Sequence, residues 1–279
     1  MNKFKIILFI KKLAALKERQ LSNEKRAGDL IAKELKSSGL FYRREYFYTY
    51  VPKIIKASLY ADRKKISALG TSFVSGEIKQ NSHIISSLIS SQKNLFDFNI
   101  NFNPKSLAIS RSNFYFAPSL AISKRDLSKV LFANNIEGLV KAKKIKHRSS
   151  NILVGNNINP KYVFFCHYDS LGAGACDNAS GTAVLLKVII ENSVILDNSL
   201  FIFSGNEEIS YDCPVYWGHG YRVFEKVHRQ ILNNSKKIIV VDSIGVGETI
   251  LTEDQNLLNL AFPLKEIKKI SKKSRFNLR

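Results

Sequence analysis

Residues 161–170 read KYVFFCHYDS, an apolar run that ends in polar residues, and this pattern indicates the fold class. It recurs in SLFIFSGNEE at 199–208 and in KKIIVVDSIG at 236–245. Between these runs lie SGTAVLLKVIIEN at 180–192 and YRVFEKVHRQILNN at 221–234, whose apolar residues recur at helical spacing. Buried strands that alternate with helices predict an α/β three-layer sandwich, with a mainly parallel central sheet flanked by helices.

The N-terminal residues predict a further helix and strand of the same sandwich. Residues 22–39 have apolar residues at helical spacing, with Ser22 as the predicted N-cap and Gly39 as the left-handed residue after the helix. FYRREYFYTYV at 41–51 alternates as a strand does. The apolar run at 6–10 is too short to span a bilayer. We expect a basic helix or strand on the protein body, with peripheral membrane contact as the alternative.

The sequence pattern changes at about residue 53 and again at about residue 144. Short β-like pieces separated by Ser, Asn and Lys clusters fill this interval, and one short helix is predicted at 123–135. We therefore predict a smaller β-rich module at 53–144, inserted between the catalytic parts 1–52 and 145–279. The basic segment KEIKKISKK at 265–273 predicts a last amphipathic helix.

The net charge of +20 is unevenly distributed along the chain. Residues 1–150 carry 29 Lys and Arg against 10 Asp and Glu, whereas residues 151–279 carry 14 against 13. Nucleic-acid binding is one interpretation of such an excess. Because the basic residues are scattered and no RNA-binding signature accompanies them, we favour a solvated surface and predict no specific nucleic-acid partner.

The cysteine content indicates a reducing compartment. The three cysteines, Cys166, Cys176 and Cys213, are odd in number and have no paired spacing. This argues against a disulfide framework and against a thiolate zinc knuckle. We therefore expect a cytoplasmic location.

Each of the three apolar runs delivers ionisable side chains at its C-terminal end. His167 and Asp169 follow the first run, Glu207 and Glu208 the second, and Asp242 the third. The C-terminal ends of parallel strands open onto the crevice where ligands bind, so we expect these groups to converge. Taken singly, a carboxylate at a strand end is more often a capping group than a ligand. The occurrence of ionisable residues at three successive strand ends favours a shared site.

Asp177 joins this group from the loop GAGACDNASG at 172–181, whose small residues allow close backbone approach. One imidazole and several carboxylates in one cleft repel each other or take up protons unless a cation is present. Nitrogen and oxygen ligands suit catalytic zinc, with other first-row metals possible. Two ions bridged by one carboxylate would suit a hydrolytic reaction.

Four segments, FFCHYDS, GACDNASGTAVLL, FIFSGNEEIS and VVDSIG, resemble the successive motifs of the family-28 metallopeptidases of the aminopeptidase Y and aminopeptidase S type. The resemblance covers residues 151–247, in the order and near the spacing of the family. The helix near residues 27–35 also resembles the start of that family's catalytic domain. PSLAISKRDLSKVL, at 118–131, resembles the end of a protease-associated module.

The resemblance implies a role for each site residue. It places His167 and Asp242 on one zinc ion and Glu208 on the other, with Asp177 bridging both. It makes Glu207, the residue immediately before Glu208, the general base. It also implies that Asp169 accepts a hydrogen bond from the His167 ring and fixes its tautomer.

The sequence departs from the family pattern around the second metal. No histidine follows Asp242, where the family has a further ligand, so only Asp177 and Glu208 remain for the second ion. His219 and His228 precede Asp242 closely enough to be considered as the missing ligand, and of these two His219 could reach the cleft. The insertion at 214–222 has no motif that we can assign, and it carries three aromatic residues that could shape a substrate pocket: Tyr216, Trp217 and Tyr221.

The sequence thus predicts a zinc-dependent aminopeptidase with one or two ions, acting on peptide substrates. Glutaminyl cyclase or carboxypeptidase chemistry on the same fold is an alternative, because metal ligands do not specify the substrate. A catalytically impaired binding protein is another. The pattern does not determine the oligomeric state or the preferred N-terminal residue.

Overall fold

The computed structural model describes residues 4–88, 98–212 and 215–245. The described helices are α1 (Ile6–Ala14), α2 (Ser22–Ser37), α3 (Leu127–Leu131), α4 (Gly181–Glu191) and α5 (His219–Asn234). The strands are β1 (Arg43–Ala61), β2 (Lys64–Ile66), β3 (Ala68–Gly70), β4 (Gly76–Ile78), β5 (His83–Ser86), β6 (Asn99–Phe102), β7 (Ser119–Ile122), β8 (Ile136–Gly155), β9 (Tyr162–His167), β10 (Ser199–Ser204) and β11 (Lys237–Val240).

The main sheet has the order β11-β9-β10-β8-β1-β2, with β4 also paired to β8. The strands β11, β9 and β10 are parallel, because α4 and α5 form the crossovers between them. The strands β8, β1 and β2 are antiparallel to their neighbours. The α/β sandwich is confirmed, but the parallel arrangement is limited to the half of the sheet that carries the predicted site.

Helices cover both faces of the sheet, as predicted. On one face α1, α2 and α4 bury apolar side chains such as Leu13, Ile31 and Leu186. On the other face α5 buries Phe224 against Phe165 and neighbouring strand residues. Side chains of β9 and β10 alternate between the two clusters because successive residues of a strand point to opposite faces.

The N-terminal elements agree with the expectation of a helix on the body, with one correction. The chain after α2 passes through Gly39 at φ +70°, the predicted left-handed residue. Ser22 is not the N-cap. It is the first helical residue, Leu21 occupies the cap position, and no side chain caps this end.

Residues 53–144 contain all four strands of a second sheet, of order β3-β7-β6-β5, and an apolar cluster of their own. The short helix predicted at 123–135 is present as a 3-10 turn, Lys124–Asp126, followed by α3. The long strands β1 and β8 run through both proposed boundaries, so the division at 52/53 and 144/145 stays a prediction.

The remaining predictions concern membrane spans, the cysteines and the C-terminal helix. None of the described helices is long and apolar enough to cross a bilayer. Cys166 and Cys176 are free thiols, whereas Cys213 lies outside the described residues. The C-terminal helix predicted at 265–273 also lies outside them.

The β10 side chain of Phe201 provides a direct test of this core. It is fully buried and stacks on Phe164, with ring centroids 4.6 Å apart. We expect Phe201→Ala to lower the free energy of unfolding by about 3–5 kcal/mol through lost burial and the cavity left behind. Denaturant titration measures this, with the 83 % exposed Phe132 as a matched control that should change by less than about 0.5 kcal/mol in Phe132→Ala. Equal effects of the two substitutions would contradict the assigned core.

Candidate metal centre

The predicted site residues lie at one edge of the sheet. His167 is the last residue of β9 and pairs with Ser204 at the end of β10. Glu207 and Glu208 follow β10 within four residues, and Asp242 follows β11 by two residues. Because these strands are parallel, their C-terminal ends bring the side chains together.

Three of the predicted ligands have atoms within reach of one cation, and the fourth, Asp242, contacts His167. His167 Nε2 lies 3.0 Å from Asp177 Oδ1 and 3.4 Å from Asp242 Oδ1. Two ligands of a tetrahedral zinc ion are about 3.3 Å apart, given zinc-to-ligand distances of about 2.0–2.2 Å. One ligand atom from each of His167, Asp177 and Glu208 also lies within 4.8 Å of the others. The structure therefore places His167, Asp177 and Glu208 within reach of one cation, and it places Asp242 beside His167 but outside that group.

The loop before α4 carries Asp177 into this position. Asp177 lies within a π-helical turn, Ala175–Ser180, but has extended dihedral angles, φ −105° and ψ 98°. The neighbouring side chain of Asn178 donates to the Val241 carbonyl at 2.9 Å and accepts from the Gly181 amide at 3.0 Å. A Cβ at Gly181 would lie 2.3 Å from Asn178 Oδ1, so this contact requires glycine. Asn178 thus ties the Asp177 loop to the segment that carries Asp242.

Asp169 is fully buried behind the site and organises two of its parts. Its two carboxylate oxygens accept the backbone N–H groups of Glu207 and Glu208, each at 3.0 Å. Its Oδ1 also lies 3.3 Å from His167 Nδ1, a distance longer than most hydrogen bonds of this type. Burial opposes ionisation, but His167 and these two amides hold the pKa of Asp169 below its ordinary value. Asp169 therefore positions the Glu207–Glu208 backbone as well as facing the imidazole.

Two residues of the segment before α2 support the same site and were missed from the sequence. Gln20 Nε2 donates to Asp169 Oδ2 at 3.1 Å. The guanidinium of Arg19, which is fully buried, donates to the carbonyls of Tyr168 and Ala173, each at 2.7 Å. It thereby holds the backbone on both sides of Asp169. In the sequence Arg19 is one of many basic residues, and nothing in its neighbours marks it.

The electrostatics of the cluster favour a bound cation. Burial raises the pKa of Glu208 well above its ordinary range, and the charges of Asp177 and Asp169 add to this although His167 opposes it. Burial alone would lower the pKa of His167, but Asp169, Asp177 and Asp242 raise it well above its usual value. These shifts describe carboxylates crowded around one imidazole without a metal. A divalent ion removes the repulsion, and the nitrogen and oxygen donor set fits zinc.

His219 is not part of the cluster that the described residues form. It is the first residue of α5, and its Nδ1 lies 2.7 Å from Asp212 Oδ2. Its ring packs edge-on against Phe47, with centroids 5.5 Å apart. Its Nε2 is buried without a hydrogen-bond partner among the described residues, and the group of possible metal ligands does not include His219, so its role as the missing ligand stays a prediction.

The three aromatic residues of the 214–222 insertion have different surroundings. Tyr216 is buried against Phe73, Trp217 is 42 % exposed, and Tyr221 packs edge-on against Phe165. Burial is the first cause of the raised pKa of Tyr221, and the charges of the metal-centre residues also act on it. Tyr221 thus packs on the strand that ends at His167, whereas Tyr216 belongs to a separate aromatic cluster. Their contribution to a substrate pocket stays a prediction.

Several solved structures share this fold at low sequence identity. A zinc aminopeptidase, BSAP, from Bacillus subtilis superposes with a TM-score of 0.66 and 17 % identity, over 98 % of this chain and 79 % of that one. An aminopeptidase from Aneurinibacillus sp. strain AM-1 gives 0.55 and 14 %, over 89 % and 73 %. An Acidobacteriales bacterium glutaminyl cyclase gives 0.51 and 13 %, over 98 % and 70 %. No protein of curated function matches the sequence.

The sequence match is limited to the part of the chain that carries the centre. Residues 151–252 match the profile of Peptidase family M28. This range contains every residue of the cluster, from His167 to Asp242. The whole described chain, including the N-terminal elements outside the match, has the fold of zinc aminopeptidases. The segment 151–252, which carries the candidate metal centre, is therefore similar in sequence to Peptidase family M28, and the described chain shares the fold of zinc aminopeptidases.

Proposed function

We propose that this protein is a zinc-dependent exopeptidase that removes N-terminal residues from peptides. The observation that carries the proposal is the position of His167 Nε2, 3.0 Å and 3.4 Å from the carboxylates of Asp177 and Asp242. The family of the segment and the aminopeptidases among its structural neighbours support it.

The proposed ligands divide between one complete site and one incomplete site. His167, Asp177 and Asp242 would hold the first zinc ion, and three protein ligands suffice for a catalytic zinc. Asp177 and Glu208 would hold a second ion with fewer protein ligands. When bound, zinc supplies a Lewis acid that polarises the scissile carbonyl and acidifies the attacking water.

Glu207 is the proposed general base. Its carboxylate would take the proton of the attacking water and deliver it to the leaving amine. The amide of Glu207 is fixed by Asp169 at 3.0 Å, and the adjacent Glu208 points to the metal cluster. Two neighbouring carboxylates thus have different tasks, one in proton transfer and one in metal binding.

The pH dependence of the reaction follows from the environment of Glu207. Burial raises its pKa to about 7, with His167 opposing the shift and the charges of Asp169 and Asp242 adding to it. Since only the carboxylate can accept a proton, we expect kcat/KM to fall about tenfold per pH unit below this pKa. A bound cation favours the carboxylate and moves the fall to lower pH.

Steady-state rates between pH 5 and pH 9 measure this fall in kcat/KM, and the metal content must be determined at each pH. Protonation of His167 also releases metal, so only points with full metal content count. If the residual activity of Glu207→Gln showed the same fall at low pH as the parent, the role of Glu207 as the base would be contradicted.

Product analysis by mass tests the proposed reaction itself. The purified protein, reconstituted with zinc, is incubated with a peptide that begins with leucine and with one that begins with glutamine. Release of free leucine supports an aminopeptidase. Loss of ammonia from the second peptide, with every peptide bond intact, would assign glutaminyl cyclase chemistry, which the fold also permits. A zinc content near zero, with no product, would favour a binding protein.

A further inference from the structure

The ribbon formed by β1 and β8 carries an unbalanced positive charge. Residues 46–58 of β1 and 139–150 of β8 contain seven Lys and Arg and no Asp or Glu. Lys53 lies directly opposite Lys143 in the antiparallel register. Three of the seven, Lys144, Lys146 and Arg148, occur at alternate residues of β8 and therefore share one face, which attracts anionic partners.

On one face of the ribbon, tyrosines and cations alternate. We call this set the cation–tyrosine stripe, and its members are Tyr46, Tyr48 and Tyr50 of β1 with Lys144, Lys146 and Arg148 of β8. The cationic groups lie over the rings: Arg148 Cζ is 3.8 Å from the Tyr46 centroid, Lys146 Nζ is 4.5 Å from that of Tyr48, and Lys144 Nζ is 4.7 Å from that of Tyr50.

The stripe is open to solvent. The three tyrosines are 52 %, 64 % and 44 % exposed along the strand. Among the described side chains, no carboxylate forms an ion pair with Lys144, Lys146 or Arg148. Because these side chains start on β8 but end above rings of β1, their charges are displaced toward the outer edge of β1.

That outer edge has no strand partner at Tyr46 and Tyr48 among the described residues, whereas the Tyr50 carbonyl is already hydrogen-bonded. Among the described strands, β8 pairs with one side of β1 and β2 pairs with the other side only at residues 59–61. The Tyr50 carbonyl points outward and accepts the Tyr211 amide at 2.8 Å. Outward-pointing groups recur at every second residue of an edge strand, so Tyr48 and Tyr46 present theirs on the same side. An extended peptide could add to this edge by backbone hydrogen bonds.

The stripe is continuous with the loop that carries the metal centre. Lys144 Nζ lies over Tyr211 as well as Tyr50, 4.8 Å from the Tyr211 centroid. Tyr211 follows Glu208 by three residues, which span at most about 11 Å. A peptide whose first bond lies at the metal centre would therefore reach the stripe after about three residues.

We propose that the cation–tyrosine stripe binds the downstream part of extended, acidic peptide substrates, an inference that rests on the proposed exopeptidase function. The open edge of β1 provides backbone hydrogen bonds, and Lys144, Lys146 and Arg148 pair with acidic side chains. Since alternate residues of an extended chain share a face, the acidic residues fall at about the fourth, sixth and eighth positions of the substrate. A nucleic acid would use the cations but has no counterpart for the backbone groups of the edge.

The experiment compares two octapeptides, each with leucine and two alanines first. One then alternates glutamate with alanine, and the other has glutamine in place of glutamate. Both are assayed by kcat/KM with the zinc-loaded full chain. N-acetylated, fluorescently labelled forms give binding by anisotropy without requiring cleavage. The stripe variant is K144E/K146E/R148E, and the matched control is K105E/K124E/R125E, which makes the same charge change at exposed positions of residues 53–144.

For the parent and the control variant, we expect affinity and kcat/KM to be about tenfold higher with the glutamate peptide than with the glutamine peptide, because three exposed charge pairs form. The ratio should fall to one or below in the stripe variant and shrink at about 0.5 M salt. The glutamine peptide should be cleaved equally by all three proteins. Equal affinity of the parent for both peptides, or an undiminished preference in the stripe variant, would overturn the proposal.

The outcomes separate the stripe from the catalytic proposal. Cleavage of both peptides without an acidic preference leaves the exopeptidase standing and removes the stripe. Absence of all cleavage refutes the exopeptidase, while the acetylated probes still decide whether the stripe binds acidic peptides. Three results would assign the stripe to another occupant. The parent could bind oligothymidylate or phosphatidylserine vesicles more tightly than the glutamate peptide and lose this binding in the stripe variant. Alternatively, the parent could be a dimer that dissociates in the stripe variant.

Discussion

Replacing Glu207 with glutamine is expected to lower kcat by about 10²–10⁴-fold while the protein keeps its zinc. This is the range that a positioned general base contributes. The substitution removes the proton acceptor but preserves the size of the side chain and the 3.0 Å hydrogen bond from its amide to Asp169. KM and the fold should therefore change little.

The neighbouring residue provides a matched control for this prediction. Glu208→Gln makes the same chemical change one residue away, where the carboxylate belongs to the metal cluster. We expect Glu208→Gln to lower the zinc content and Glu207→Gln to leave it unchanged. Zinc analysis and steady-state kinetics on the same preparations measure both effects. An active Glu207→Gln protein would assign the base to another group.

Replacing His167 with alanine is expected to abolish both zinc binding and activity. His167 is buried, and it is the one nitrogen donor in the cluster of described residues, facing carboxylates at 3.0 Å and 3.4 Å. Loss of a hydrogen-bond partner behind a ligand already costs about 10–100-fold in metal affinity, so loss of the ligand itself should cost more. Activity should fall to background.

Chelation and zinc replacement measure this effect. The parent should lose activity with chelator and recover it with zinc, whereas His167→Ala should not recover. His83→Ala, at an exposed position on β5, is the control and should retain zinc and activity. Circular dichroism shows whether each variant is folded. If His167→Ala bound zinc as tightly as the parent, the proposed centre would be wrong.

Much of the site could be predicted because its parts are local. An apolar run that ends in an ionisable residue describes a buried strand and its C-terminal end, and each of His167, Glu208 and Asp242 follows such a run. Asp177 was recognisable from the small residues around it. The parallel sheet then brings the strand ends together wherever crossover helices connect them.

The second half of the main sheet was less predictable. The strand predicted at 41–51 continues in β1 to Ala61, through Pro52 and an irregularity between Ile54 and Lys56. Proline and a bulge both weaken a strand signal. The strand continues because β8 supplies a partner over the whole length, and this partner is about 90 residues away in sequence.

Hydrophobic period and side-chain chemistry are local properties, so the layers of the fold, the converging strand ends and the residue types that could hold zinc can be predicted from the amino-acid order. The folded chain is needed to show that Arg19 and Gln20 support Asp169, that His219 bonds Asp212, and that tyrosines of β1 meet cations of β8. These contacts depend on the register of distant segments, and register arises from packing of the whole chain.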